Sequence, residues 1–209
     1  MDSKLEKYLK EHSTPEDPLL ADLYRQTHIR FVNPNMVSGH MQGRLLEMIS
    51  RMVQPENILE IGTFTGYSAI CLAKGLRPGG KLITIELNDE LTTFAGSYFK
   101  KAGLSSVIEQ HTGDALKIIP RLKFLFDLVF IDADKREYVD YYKVVIDKVK
   151  PGGFIIADNV LWGGKVMQKK TRDPQTRGII EFNEMLCNET GVEKLILPVR
   201  DGLMLIRKD

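Results

Sequence analysis

Two segments of this 209-residue chain end runs of apolar residues with acid and amide side chains: FDLVFIDADK (126–135) and GGFIIADNVLW (152–162). Each reads as a buried strand opening into a loop. In an open α/β sheet the ligand crevice lies beyond the carboxyl ends of the strands, so Asp132, Asp158 and Asn159 are expected at one crevice. Three hard oxygen donors, with no Cys or His beside them, suit Mg²⁺ best, with Ca²⁺ or Mn²⁺ as alternatives, rather than zinc.

A second group of residues lies upstream. LEIGTFTGYSA (59–69) reads as a strand running into a turn bracketed by Gly62 and Gly66 and then a helix, the outline of a dinucleotide loop. Phe64 stands where such a loop needs a second glycine for close approach to a pyrophosphate, and no neighbouring lysine supports a phosphate loop. The turn therefore suits a nucleoside without phosphates better than NAD. Glu60 is a candidate acceptor for a cationic amino group. Glu86 ends the next strand, 24 residues after Gly62, close to the ~20-residue offset at which an acid bonds a ribose hydroxyl. Asp114 is a candidate for an adenine amino group, and equally for the N-cap of the helix after it.

The elements that must position these residues follow from periodicity. Strands are expected at 57–61, 81–86, 106–111, 126–131 and 152–157, with helices at about 66–75, 89–103, 114–122 and 136–150 between them. That alternation predicts a doubly wound, mostly parallel sheet with right-handed crossovers. Residues 192–199, Arg200-Asp201-Gly202 and 203–208 read as strand, turn, strand, an antiparallel hairpin closing the sheet. Before residue 57 the pattern is helical, near 3–12, 16–30 and 39–53. The whole chain reads as a single domain of 1–209, a helical extension over 1–56 joined to an α/β core over 57–209.

Composition narrows the partners. With 29 basic and 28 acidic residues the net charge is +1, which gives no global field toward nucleic acid or anionic lipid, although KVMQKKTR (165–172) is locally basic. No apolar stretch approaches the ~20 residues of a membrane-spanning helix. Two unpaired cysteines and no signal peptide point to a reducing, cytoplasmic setting. Cys71, in an apolar helical run, reads as a small buried hydrophobe. The four histidines have no ligand spacing.

Taken together, LEIGTFTGYSA, FDLVFIDADK, GGFIIADNVLWGG and the late LPVRDGL resemble the cation-dependent, S-adenosylmethionine-using O-methyltransferases, the caffeoyl-CoA type and its bacterial relatives more than the catechol type. The resemblance runs from about residue 18 to the C-terminus. It implies a Rossmann-like, seven-stranded class I methyltransferase sheet with one antiparallel strand, usually in a homodimer. It implies Asp132, Asp158 and Asn159 as metal ligands, with Asp132 and Asn159 also in the catalytic set. S-adenosylmethionine contacts fall on Ser38, Glu60, Gly62, Thr63, Ser68, Glu86, Ala115, Asp134 and Tyr141, beside Asp114 and Asp132. Lys135 aligns with a catalytic lysine of the catechol type and is the expected base. Met36, Lys135 and Trp162 are expected around the methyl acceptor. Gly163 stands where plant members carry asparagine, and the N-terminal region does not match their substrate-binding segment. Both departures point away from a CoA thioester.

The chemistry so implied is methyl transfer to a hydroxyl of a small phenolic acceptor carrying vicinal hydroxyls, assisted by a cation that favours the phenolate. Two other readings remain at this level. One is tRNA hydroxyuridine O-methylation, as in some bacterial relatives. The other is a nucleotide- or NAD-binding sensor, which Phe64 and the metal constellation both oppose.

Overall fold

Residues 3–168 and 170–209 are described by the computed structural model of the chain; Lys169 of the basic run lies outside them. The apolar runs form seven strands: β1 (Asn57–Ile61), β2 (Lys81–Glu86), β3 (Ile108–Thr112), β4 (Phe126–Ile131), β5 (Val149–Asp158), β6 (Val192–Leu197) and β7 (Leu203–Lys208). They lie in one sheet in the order β3-β2-β1-β4-β5-β7-β6. The chain winds outward from β1 to β3, then returns to place β4 on β1's other side. That reversal between β1 and β4 is the topological switch point where an open sheet leaves a crevice.

Helices α1 (Ser3–Glu11), α2 (Pro18–Arg30), α3 (Gly39–Val53), α4 (Tyr67–Ala73) and α5 (Thr92–Lys101) precede α6 (Ala115–Ile118), α7 (Tyr138–Ile146) and α8 (Pro174–Asn188). The sheet separates two cores. Leu23, Leu46, Ile70 and Phe99 bring α2–α5 onto one face together with Leu128 and Phe130 of β4. Tyr138, Val145, Ile179 and Phe182 bring α7 and α8 onto the other, against Val129 and Ile131. Successive β4 residues thus enter opposite cores, as a central strand covered on both faces must. Among the described residues no helix is long and apolar enough to cross a membrane.

The helices expected over 89–103 and 114–122 are shorter, α5 and α6, each joined to a 3-10 turn, and three elements differ more from the expectation. The helix expected over 136–150 is a short 3-10 turn, Lys135–Glu137, followed by α7, which ends at Ile146. β5 begins at Val149, before the expected 152, because Lys150–Gly153 bulge out between the pairs Phe126↔Val149 and Leu128↔Phe154. Helix periodicity in YYKVVIDKVK runs on past the point where strand pairing captures the backbone. Helix α8 has no counterpart among the expected elements, although its start carries local signals: Asp173 accepts from the backbone amides of Gln175 and Thr176, and Pro174 follows at the first helical position. In the C-terminal hairpin it is the second strand, β7, that pairs with β5, antiparallel, leaving β6 at the edge.

Candidate active site

A cleft of about 930 Å³ opens at the carboxyl ends of β1, β2, β4 and β5, at the switch point. Its β1–β2 wall is built on a buried polar chain. The Thr63 hydroxyl lies 2.5 Å from that of Thr84, which donates to Glu60 Oε2 at 2.6 Å. The other oxygen, Glu60 Oε1, is buried with no hydrogen-bond partner. Burial pushes the Glu60 carboxyl up to about 8; the Asp132 and Glu86 charges add to this, and the Ser68 and Thr84 hydroxyls oppose it. Glu60 is fully buried and lies behind the residues that line the cleft, and an unpaired buried carboxyl oxygen is the exception among buried polar atoms.

Gly62 turns the chain out of β1 with φ +100°, and a Cβ there would lie 2.0 Å from the Asp132 carbonyl oxygen. The glycine is required by the close pairing of β1 and β4 ends, where the Asp132 amide donates to Ile61 O at 2.9 Å. Glu86 anchors the following loop, accepting from the Phe64 amide at 2.8 Å and the Asn88 amide at 3.0 Å. Asp114 caps α6 through the Leu116 amide (3.0 Å) and still borders the cleft, so both roles weighed for it are compatible. Ser38, Ser68, Ala115, Asp134 and Tyr141 also line the cleft; Asp134 pairs with Arg136, and the Tyr141 hydroxyl donates to Glu137 at 2.6 Å.

The opposite wall comes from β4 and β5. Their parallel register pairs Ile131 with Ala157, so the next residues, Asp132 and Asp158, emerge side by side. Asp158 is 2% exposed. Burial, reinforced by the like charge of Asp132, holds its carboxyl well above the ordinary range. Lys135, itself buried, donates to Asp132 Oδ1 at 2.8 Å and to the Tyr138 hydroxyl at 2.6 Å. That hydroxyl in turn donates to the Asp158 carbonyl at 2.9 Å. Asn159 follows in the left-handed region, φ +61°, and its backbone N–H donates to Asp158 Oδ1 at 2.7 Å. Met36 and Trp162 border the cleft as well.

Backbone strain concentrates here. Of the described non-glycine residues with positive φ, Phe64, Asn159, Trp162 and Arg200 all line the cleft, and Gln54 alone does not. Each such conformation costs on the order of 1–3 kcal/mol and persists where the surroundings impose it, a pattern characteristic of binding and catalytic sites. No group of three or more His, Cys, Asp or Glu side chains able to hold a metal occurs among the described residues, so any cation here would rest on the two carboxylates and the Asn159 amide. Sequence reasoning did not single out Gln42, Thr84, Tyr138 or Arg200. Arg200 lies in the LPVRDGL segment and Tyr138 one helical turn beyond Lys135, but Gln42 carries no local signal.

A profile of the family described as O-methyltransferase matches residues 10–209. The chain belongs to that family. Catechol O-methyltransferase of Niastella koreensis is 38% identical over 170 residues, 79% of this chain and 74% of that protein. Caffeoyl-CoA O-methyltransferase of Petroselinum crispum is 33% identical over 98% of this chain and 90% of its own. The crystal structure of the O-methyltransferase TomG from Streptomyces achromogenes, in complex with SAM, superposes with a TM-score of 0.92 at 33% identity, covering 100% of this chain and 99% of that one. The O-methyltransferase from Bacillus cereus, in complex with SAH, gives 0.90 at 30% identity, covering 99% and 97%. The chain is an S-adenosylmethionine-dependent O-methyltransferase of the caffeoyl-CoA and catechol type.

Proposed function

We propose that the chain methylates a hydroxyl of a small catechol-like acceptor with the help of a divalent cation, Mg²⁺ by preference, held by Asp132, Asp158 and Asn159. The observation that carries this reading is the register-matched pair of carboxylates at the end of β4 and β5, one of them almost fully buried. Of the two carboxylates, Lys135 Nζ bonds Asp132 and not Asp158. Such a wall is short of positive charge and rich in hard oxygen donors, which fits a hard divalent ion. When bound, the ion favours the phenolate form of a chelating diol and orients it.

The remaining chemistry belongs to the chain's own residues. Glu60 receives the ammonium of S-adenosylmethionine at its orphaned oxygen, Glu86 the ribose hydroxyls, and Asp114 the adenine amino group. Ser38, Gly62, Thr63, Ser68, Ala115, Asp134 and Tyr141 complete that wall. Lys135 Nζ, in its neutral amine form, takes the proton of the acceptor hydroxyl, and the ammonium so formed is the one held by Asp132 Oδ1 and the Tyr138 oxygen. Met36 and Trp162 border the acceptor and hold its oxygen in line with the sulfonium methyl. Positioning of that kind supplies ~7–11 kcal/mol of the barrier in favourable cases.

The decisive test is methylation of catechol with labelled donor, before and after chelation: turnover lost in EDTA and restored by Mg²⁺ supports the reading, and equal turnover in EDTA refutes the cation's role. Bulk tRNA offered in the same assay tests the other acceptor class. A homodimer belongs to the same reading, supported by the exposed Leu195 and Ile196 on edge strand β6, and light scattering of the purified chain tests it.

A further inference from the structure

Among the described residues Asp158 Oδ2 has one donor, Gln42 Nε2 at 2.5 Å. Gln42 sits one turn into α3, 1% exposed, and its amide oxygen accepts from Arg200 Nη1 at 2.8 Å. A guanidinium can only donate, so Arg200 forces the amide oxygen toward itself and the amide nitrogen toward Asp158. Without that contact the amide could turn over and present an oxygen to the carboxylate. The same Nη1 donates to the carbonyl of Ser38, at the start of α3. The turn that carries Arg200 also fixes the chain just beyond Asn159. Asp201 accepts from the Gly163 amide through its side chain (2.5 Å) and from the Leu161 amide through its carbonyl (2.9 Å), and Gly202 O accepts from Val160 at 3.1 Å. Arg200 holds φ +51° to do this.

We propose that Gln42 and Arg200 are positioning residues of the reaction: Arg200 sets the amide of Gln42, and Gln42 sets the Asp158 carboxylate for the cation. This rests on the reading that Asp158 is a ligand. With one donor on each oxygen, from the Gln42 side chain and from the Asn159 backbone N–H, the carboxylate is fixed in rotation and keeps lone pairs for a metal. The Arg-Asp-Gly turn thus ties the N-terminal helical region to the ligand loop, and neither residue needs to touch the acceptor.

The test uses the full chain and reads Mn²⁺ binding by electron paramagnetic resonance, S-adenosylhomocysteine binding by calorimetry, and catechol kinetics. Gln42→Met, which keeps volume, is expected to weaken Mn²⁺ by ~10-fold or more while homocysteine-product affinity holds. Arg200→Met weakens Mn²⁺ less, Arg200→Lys recovers part of the loss, and the double variant is no worse than Gln42→Met alone, because Arg200 acts through Gln42. Wild-type Mn²⁺ affinity in Gln42→Met, or losses that add fully in the double variant, overturns the proposal. Should Gln42→Met fail to fold, Arg200→Met on its exposed turn decides alone, and unchanged Mn²⁺ affinity there is the overturning result. A wild type that binds no Mn²⁺ removes the cation reading itself, a different failure from a wild type that binds and a Gln42→Met variant that binds equally well.

Discussion

Glu60 combines full burial with one satisfied and one orphaned oxygen, and its pKa moves from an ordinary 4.5 to about 8. Between those values the unfolded chain has released a proton that the folded, cofactor-free protein keeps. Stability contributed by this group therefore falls as pH rises across that window. The expected outcome is a thermal midpoint that drops from pH 6 to pH 8, with a shallower drop in Glu60→Gln; identical slopes in both proteins would contradict it. Binding of the ammonium-bearing cofactor favours the ionised form, so affinity should rise over the same interval in the wild type and stay level in the variant, as calorimetry would register. Losing one charge-assisted contact of this type costs ~1.5–3 kcal/mol, roughly a tenfold or greater loss of affinity. Asp158→Ala, on the opposite wall, should abolish catechol turnover and leave S-adenosylhomocysteine binding largely intact. Loss of both together would mean that Asp158 supports the fold of the cleft instead.

At the scale of elements, the placement of Lys135 depends on α8. Gly178 of that helix lies so close to the 3-10 turn that a Cβ would fall 2.3 Å from the Lys135 carbonyl oxygen and 2.8 Å from Arg136 Cα. Neither obstacle is a flexible side-chain end, so the helix or the turn has to move. Gly178→Ala is expected to lose ~1–3 kcal/mol, the usual range for overpacking, in urea unfolding, and to lower kcat more than it raises KM for catechol, because Lys135, the proposed base, shifts relative to Asp132. A variant with unchanged kcat would show that Lys135 tolerates the displacement or is not the base. The register of β4 on β5 acts in the same way for the carboxylates: two strands of different length meet in step at Ile131↔Ala157 because the bulge over Lys150–Gly153 absorbs the difference at the far end.

At the scale of the molecule, the two cores clamp the sheet from both faces, and the cleft takes residues from both halves of the chain, from Asn33 to Arg200. A cation bound only in the assembled cleft must stabilise the folded state, by about 2.7 kcal/mol when present at 100 times its Kd. Thermal unfolding should therefore shift upward with added Mg²⁺ in the wild type and not in Asp158→Ala, and equal shifts in both would assign the effect to another site. Apolar runs long enough to be buried on both faces, leading into an acid at β2, β4 and β5 and into a glycine turn at β1, made these strands and the cleft residues at their ends legible from sequence, since burial and strand-end position are encoded locally. Helix α8 left only a cap signal, and the end of α7 was hidden because helical periodicity continues into residues that pair as strand. The roles of Gln42 and Arg200 were beyond local reading for a simpler reason. The meaning of Gln42 is set by Asp158, 116 residues away, and that of Arg200 by Gln42, 158 residues away. The type of each side chain was fixed by the chain alone, but its partner, and hence its job, was decided only when the sheet brought distant segments within hydrogen-bonding distance.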